Sequence, residues 1–169
     1  MKNILMVVVI LFLSNLITAQ ATIDINFNLD KQPVWGPAGY DYVEYYYLPD
    51  IETYYSVPQQ RYYYYEKGGW KNSSNLPSRL AHYKFYDSYK VVVNEKNPWR
   101  NHKNYKIKYL AYKNRNDQKF IRDSRDARYF VIKNHPEHNN WVKKQKTEKE
   151  EMKKANSNHK KNGKNKNKK

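Results

Sequence analysis

The chain has 169 residues, no cysteine and a formal net charge of +16 at pH 7, and 16% of its residues are aromatic. The absence of cysteine excludes disulfides, thiol catalysis, cysteine-ligated zinc and iron–sulfur clusters. The length beyond the N-terminal segment suits one domain rather than two, and that domain must be stabilised by packing of its aromatic side chains.

The first 21 residues have the order of a secretory signal peptide. Lys2 supplies a positive start, Ile4 to Leu13 is an unbroken apolar run, and Ala19-Gln20-Ala21 offers the small-x-small pattern of a cleavage site. A transmembrane anchor needs about 20 apolar residues, which this run does not provide. We therefore expect a cleaved signal, no transmembrane segment after cleavage, and a location in the periplasm, at the outer membrane or outside the cell.

Short alternating or tyrosine-rich runs predict antiparallel strands after the signal. The predicted strands cover residues 22–29, 41–48, 51–55 and 61–65, a fifth strand that opens at Trp70, and residues 89–93. Glu66-Lys67-Gly68-Gly69 predicts a tight hairpin turn, because glycine tolerates the positive φ that such turns need. The predicted fold is β-rich with minor helix, an antiparallel meander of about five or six short strands.

One or two short helices and a basic tail complete the predicted domain plan. Ser78 is expected to cap a short helix at 79–83, and 104–113 is interpreted as helical although it also alternates like a strand. Residues 120–132 are expected to form a loop followed by a short extended piece. One domain is therefore predicted over 22–141. The tail, 142–169, is expected to be a partly formed helix to about residue 155 and disordered beyond it.

The net positive charge is unevenly distributed along the chain. Residues 22–60 contain one lysine and six acidic residues, whereas residues 61–141 contain 18 basic and seven acidic residues. The tail contains 12 lysines and three glutamates. Dense lysine attracts polyanions with little sequence specificity. The predicted partners are therefore an anionic envelope surface or polysaccharide, with Lys160 and Lys161 as contacts, and not a specific nucleic acid; a solubilising tail is the alternative.

Three segments carry a resemblance to a known group of proteins. They are residues 35–55, WGPAGYDYVEYYYLPDIETYY, residues 56–80, SVPQQRYYYYEKGGWKNSSNLPSRL, and residues 121–141, IRDSRDARYFVIKNHPEHNNW. In the order of their Tyr, Gly and Trp positions they resemble uncharacterised small Tyr-rich exported proteins of Gram-negative bacteria, chiefly Bacteroidetes. The resemblance covers most of the chain up to Trp141. It implies an exported, β-rich small domain and no particular activity.

The crowded tyrosines are the first candidate binding feature. Because strand side chains alternate, Tyr46, Tyr63 and Tyr65 are expected on the face opposite Tyr45, Tyr47, Tyr62 and Tyr64. One face would be core and the other an exposed stacking surface for sugars, peptides or nucleobases. The stacking candidates are Trp35, Tyr62, Tyr63, Tyr64, Tyr65 and Trp70. The alternative is cross-strand aromatic pairing that only holds the sheet together.

Two further clusters are candidates for binding. Arg122, Arg125 and Arg128 could contact carboxylate or phosphate, or they could form local Arg–Asp pairs that brace a surface turn. His135 and His138 could bind a metal ion, or they could belong to a structural turn before a helix, since zinc enzymes need a third protein ligand.

The function predicted from these patterns is a non-catalytic exported envelope or secreted protein that acts by binding or as a structural component. No cofactor is predicted. The alternative is an exported metal-binding protein that uses His135 and His138. The sequence contains no phosphate-binding glycine loop, dinucleotide fingerprint or HExxH motif.

Overall fold

The computed structural model describes the backbone of residues 28–166 and the side chains of residues 28–157. The predicted signal peptide and residues 22–27 of the first predicted strand lie outside the described residues. The strands are β1 (Tyr45–Leu48), β2 (Thr53–Ser56), β3 (Arg61–Glu66), β4 (Gly69–Ser73) and β5 (Val91–Val93), and the helices are α1 (His102–Lys108) and α2 (His138–Lys166). Short 3-10 helices connect them.

The five strands form one antiparallel sheet in the order β4-β3-β2-β1-β5. The first four strands follow one another as the predicted meander. β5 returns from later in the chain and pairs with the other edge of β1, with Tyr45 opposite Val93 and Tyr47 opposite Val91. The predicted β-rich fold with minor helix is therefore confirmed.

The β3–β4 hairpin forms where the sequence predicts it. Lys67 and Gly68 both have positive φ, 53° and 78°, which is the backbone of the two-residue turn that matches the twist of antiparallel strands. Glu66 pairs with Gly69 and Tyr65 with Trp70. The turn therefore places Tyr65 and Trp70 side by side at one end of the sheet.

The prediction that one face of the sheet is exposed is wrong for the central strands. All four residues of β1 and all four of β2 are buried, so both faces are covered. The cross-strand register also corrects the predicted grouping of tyrosines. Tyr47, Tyr54 and Tyr63 lie opposite one another on one face, whereas Tyr46 shares the other face with Tyr55 and Tyr62.

The face that carries Tyr47 packs against α1 and the segment before it; we call it the helix face. Tyr105, on α1, is 5% exposed and lies 6.2 Å from the ring of Tyr47 and 6.0 Å from that of Tyr54. Trp99 packs on Tyr45 with centroids 5.7 Å apart. The apolar side of a short helix thus covers an aromatic sheet.

The opposite face, which carries Tyr46, is covered by loops; we call it the loop face. Trp35 packs on the edges of Tyr46 and Tyr55, at 5.6 and 5.2 Å, and stacks on Phe85 at 4.6 Å. Tyr46 is fully buried and donates a hydrogen bond from its hydroxyl to Gln32 Oε1 at 2.9 Å. The segments around residues 35 and 85 therefore supply the second aromatic layer.

Several predictions for the second half of the chain need correction. Ser78 begins a three-residue 3-10 helix, Ser78–Leu80, and makes no side-chain cap. The predicted extended piece before residue 132 is a 3-10 helix, Ala127–Val131, which Asp126 caps by accepting from the Arg128 N–H. Tyr129 from this helix is buried with Ile121 and Ile132 in a third, separate cluster. The need to bury these side chains overrides the strand preference of the YFV run.

Helix α2 has 29 residues, from His138 to Lys166, and at about 1.5 Å per residue it is about 44 Å long. The predicted helix at the start of the tail is present, and no proline follows Pro136 to interrupt it. In the described part of the chain, the start of α2 contacts the preceding segment: His138 Nδ1 lies 2.9 Å from the Phe130 carbonyl, and the N–H groups of His138 and Trp141 donate to the carbonyls of His135 and Glu137. Among residues 28–166, no helix has the length and apolar character needed to cross a membrane.

Candidate ligand groove

A groove of about 630 Å³ lies between the β3–β4 hairpin, the β1–β2 turn and the start of α1. With the 3-10 helix Ser78–Leu80, four separate parts of the chain contribute to its walls. The lining residues are Asp50, Ile51, Glu52, Tyr65, Trp70, Arg79, Leu80, His102, Lys103 and Lys106.

Tyr65 and Trp70 form the aromatic wall of this groove. Their rings meet edge to face, with centroids 5.7 Å apart. Trp70 is backed by Tyr54 at 5.7 Å and by His102 at 5.0 Å, which fixes its orientation. Tyr65 is 53% exposed, so much of its ring is open to a ligand.

A chain of polar contacts runs next to the aromatic pair, from Glu52 through His102 to Tyr54. The Glu52 carboxylate lies 3.6 Å from His102 Nε2, and the Tyr54 hydroxyl lies 3.1 Å from His102 Nδ1. Burial raises the pKa of Tyr54, so its hydroxyl keeps its proton. The arrangement fits an imidazole that accepts from Tyr54 and presents Nε2–H to Glu52.

Burial lowers the pKa of His102, although Glu52 opposes the shift. His102 is therefore neutral at pH 7 and serves as a rigid hydrogen-bonding group. Since the side chain of His102 is only 21% exposed and Tyr54 is fully buried, this chain of contacts supports the groove wall.

Glu52 occupies a backbone conformation that non-glycine residues seldom adopt. Its φ and ψ are 51° and 39°, in the left-handed region, where such residues are often found at functional sites. Its carboxylate lies 2.9 Å from Lys106 Nζ and 3.4 Å from Lys113 Nζ. Burial opposes its ionisation, but the two lysines outweigh burial and lower the pKa of Glu52. The carboxylate is therefore ionised and fixed.

Two further cations, Arg79 and Lys103, stand at the rim. Arg79 Nη2 donates to the Tyr65 carbonyl at 3.0 Å, and its Nε is 3.8 Å from Glu66. The Arg79 side chain is 50% exposed. Lys103 is exposed on the first turn of α1. The groove thus combines an aromatic wall, the ionised carboxylate of Glu52 and a basic rim.

Four of the six predicted stacking residues lie outside this groove. Trp35 and Tyr62 contribute to the loop-face cluster. Tyr63 stacks flat on Trp99, with centroids 4.0 Å apart, and Tyr64 is 8% exposed. Of the six, Tyr65 and Trp70 line the groove.

The predicted arginine cluster engages neighbouring acids and rings. Arg122 Nε lies 2.9 Å from Asp123 Oδ1, and its guanidinium covers the ring of Tyr86 at 3.8 Å. Arg128 forms ion pairs with Asp126 at 2.6 Å and with Asp41 at 2.5 Å. The contact with Asp41 joins two loops 87 residues apart. Arg125 is exposed.

The two histidines of the metal-binding alternative use ring nitrogens in backbone contacts. His135 is 4% exposed; its Nε2 lies 3.2 Å from the Ser124 carbonyl, and its Nδ1 accepts from the Glu137 N–H at 3.1 Å. His138 Nδ1 lies 2.9 Å from the Phe130 carbonyl. Among the side chains described, no group of three His, Cys, Asp or Glu residues is placed to hold a metal ion.

The predicted anion contacts of the tail, Lys160 and Lys161, belong to the backbone of α2, and their side chains lie outside the described residues. In the described part of the tail, Lys144 Nζ lies 3.9 Å from Glu148, one helical turn on. Such an exposed pair contributes little to stability.

Sequence reasoning missed Glu52, Arg79 and His102 as groove residues. One local signal was present for Glu52, which follows Pro49-Asp50 in a turn between two strands, a position where side chains gather at a sheet end. Arg79 and His102 carry no comparable signal, since only the tertiary fold brings residues 52, 79 and 102 together.

The chain matches no protein-family model and no curated protein, and its structure matches no solved structure, so the functional argument depends on the residues of the groove.

Proposed function

We propose that the protein is an exported, non-catalytic binding protein whose groove takes a sugar ring of an envelope or extracellular polysaccharide. The observation that carries this proposal is the exposed Tyr65 ring beside the fixed indole of Trp70, at the mouth of a groove of about 630 Å³. Binding sites combine apolar and aromatic walls with a few fixed polar groups, and this groove has both.

The polar groups of the groove suit a ligand rich in hydroxyl groups. A pyranose ring has an apolar face of C–H groups that lies on an aromatic ring, and its hydroxyls point outward from its rim. Ionised carboxylates accept hydrogen bonds and cannot donate them, and Asp50 and Glu52 both line the groove. Hydroxyl donors of a sugar would therefore find acceptors around the aromatic wall.

The tail would have a separate function, which is to retain the protein at an anionic surface. In the described part of α2, Lys143, Lys146, Lys149 and Lys153 follow one another at spacings of three or four residues, which places them along one side of a helix. Such a charged strip attracts polyanions without sequence specificity. Charge retention and groove recognition would then act on the same envelope material.

Glycan binding by the groove is tested with Tyr65→Ala and the matched control Tyr40→Ala. Both tyrosines are exposed, 53% and 41%, but Tyr40 lies outside the groove lining. We expect Tyr65→Ala to weaken binding to purified envelope polysaccharide by roughly tenfold, in line with about 1–3 kcal/mol for ring stacking. Isothermal titration calorimetry measures the affinities. Equal losses in both variants, or none in either, would contradict the groove.

Tail retention is tested by deleting residues 142–169. We expect the melting temperature to change little, since the side-chain hydrogen bonds and the ion pair described for residues 142–157 all stay within the tail. Salt-sensitive adsorption to anionic vesicles should disappear, and oligosaccharide binding in the groove should persist. A large loss of stability would show that the tail packs on the domain.

A further inference from the structure

We propose that the sugar bound in this groove carries a carboxylate, and that Arg79 and Lys103 receive it. This inference rests on the proposed carbohydrate-binding function and adds the ligand's charge and the residues that read it. Two observations carry the inference. Arg79 and Lys103 line the same groove as the aromatic wall, and the carboxylates of Asp50 and Glu52 in that groove have partners within the protein.

Both carboxylates that line the groove already have partners within the protein. Glu52 is held by Lys106 at 2.9 Å and Lys113 at 3.4 Å. Asp50 Oδ1 accepts a hydrogen bond from the backbone N–H of Asn114 at 2.7 Å. Lys106 and Lys113 therefore neutralise the charge of Glu52, and Arg79 and the exposed Lys103 add positive charge to the same groove.

Arg79 is already oriented for an anion next to Tyr65. Its Nη2 bond to the Tyr65 carbonyl fixes the guanidinium beside the stacking ring, while its nearest carboxylate, Glu66, stays 3.8 Å away and is shared with Lys71. A guanidinium has five N–H donors in a planar fork that matches a carboxylate. Donors remain for a ligand carboxylate at the edge of a ring stacked on Tyr65.

Lys103 adds a second cation to the lining of the groove. Lys103 is exposed. In the described part of the chain it forms no ion pair within 4.0 Å, whereas Lys106 and Lys113 both pair with Glu52. His102, the residue before Lys103 on α1, lies in the groove wall. The backbone that carries Lys103 is therefore held beside the groove. Lys103 would then contact the ligand carboxylate together with Arg79, since both residues line the groove.

The same groove does not suit a single-stranded nucleic acid, the other ligand that combines rings with negative charge. Single-strand binding grooves follow the phosphate backbone with continuous positive charge and offer successive stacking rings. Here only Tyr65 is an exposed large aromatic in the groove. Asp50 and Glu52 also interrupt the positive charge of the lining, whereas their carboxylates can accept hydrogen bonds from sugar hydroxyls.

The experiment compares an oligogalacturonate hexamer with its methyl-esterified form, which keeps the ring and loses the charge. We expect the exported protein, with its tail intact, to bind the acid form at least about tenfold more tightly. A hydrogen bond to a charged group contributes more to binding than a hydrogen bond to a neutral group. Arg79→Gln and Lys103→Gln should each reduce that preference to within about threefold. Arg61→Gln, an exposed arginine outside the groove, should leave it unchanged.

The outcomes separate this inference from the function on which it rests. If both hexamers bind equally and Tyr65→Ala weakens both, carbohydrate binding stands and the acid preference is overturned. If neither hexamer binds, nor any polysaccharide in the Tyr65 test, both are overturned. Tighter Tyr65-dependent binding of a thymidine hexanucleotide than of the acid hexamer would overturn the inference in favour of nucleic acid. An acid preference that disappears only when residues 142–169 are deleted would assign the effect to the tail and overturn it too.

Discussion

The phenol ring of Tyr63 lies flat on the indole of Trp99, with ring centroids 4.0 Å apart and planes 9° from parallel. Tyr65, two residues further along β3 on the same face of the sheet, is 53% exposed. Trp99 belongs to the 3-10 helix Pro98–Asn101 just before α1, so a segment from later in the chain decides which of two equivalent tyrosines is covered.

This difference predicts different stabilities for two alanine variants. Tyr63→Ala removes a stacked, partly buried ring and should lower the free energy of unfolding by about 2–3 kcal/mol, somewhat less than the loss for a fully buried aromatic. Tyr65→Ala should cost less than about 1 kcal/mol, as expected for a largely exposed site. Urea denaturation measures both. Equal losses would mean that Tyr65 is packed and unavailable to a ligand.

Gly36 is predicted to tolerate no side chain. A Cβ at this position would lie 2.7 Å from the Tyr46 hydroxyl and 3.1 Å from the Pro33 carbonyl. Tyr46 is fully buried and cannot move away, so Gly36→Ala should lower the free energy of unfolding by about 1–3 kcal/mol. Gly69→Ala is the control, because a Cβ there meets nothing within 4 Å. Similar thermal unfolding for both variants would contradict the predicted clash.

Opposite pKa shifts of His102 are predicted for two groove variants. Burial lowers the pKa of His102, Glu52 raises it, and Lys106 lowers it. Glu52→Gln should therefore lower the pKa of His102 further, and Lys106→Gln should raise it. NMR titration of the His102 ring protons measures both shifts. Shifts of the same sign would mean that Glu52 and Lys106 do not act on His102 through their charges.

Lys90, the residue just before β5, is buried, and its burial predicts that the stability of the protein depends on pH. Lys90 is 1% exposed, donates to the Ser88 carbonyl at 2.7 Å and lies over the Phe120 ring. Burial lowers its pKa from 10.5 to about 7, although Asp50 and Asp87 oppose the shift. Between pH 7 and about 10 the unfolded chain binds the proton that the folded chain has lost, so the contribution of Lys90 makes stability rise with pH.

Replacement of Lys90 isolates this contribution. At pH 6 the folded protein must bury a charged ammonium, so Lys90→Met should raise the free energy of unfolding there by about 1–4 kcal/mol. The gain should shrink as the pH rises from 7 to 9. Chemical denaturation at several pH values measures it. A gain that is constant across this range would show that Lys90 is neutral throughout or charged throughout.

Much of the sheet could be predicted because its signals are local. The hairpin at Lys67 and Gly68 and the four-strand meander depend on alternation and turn residues within a few positions of one another. The place of β5 beside β1 could not be predicted from such signals, since its pairing joins residues 45–47 to 91–93. The packing of Trp35 and Phe85 on the loop face could not be predicted either, since it also joins residues that are distant in the chain.

Local patterns in the sequence are enough to predict a β-rich, cysteine-free chain with crowded tyrosines on short strands and a basic C-terminal part. The role of each tyrosine depends on tertiary packing. Alternation separates Tyr63 from Tyr64, but it cannot show that Trp99 covers Tyr63 or that Tyr65 borders a groove. Burial on both faces of a sheet depends on segments distant in the chain, whose packing no local pattern encodes.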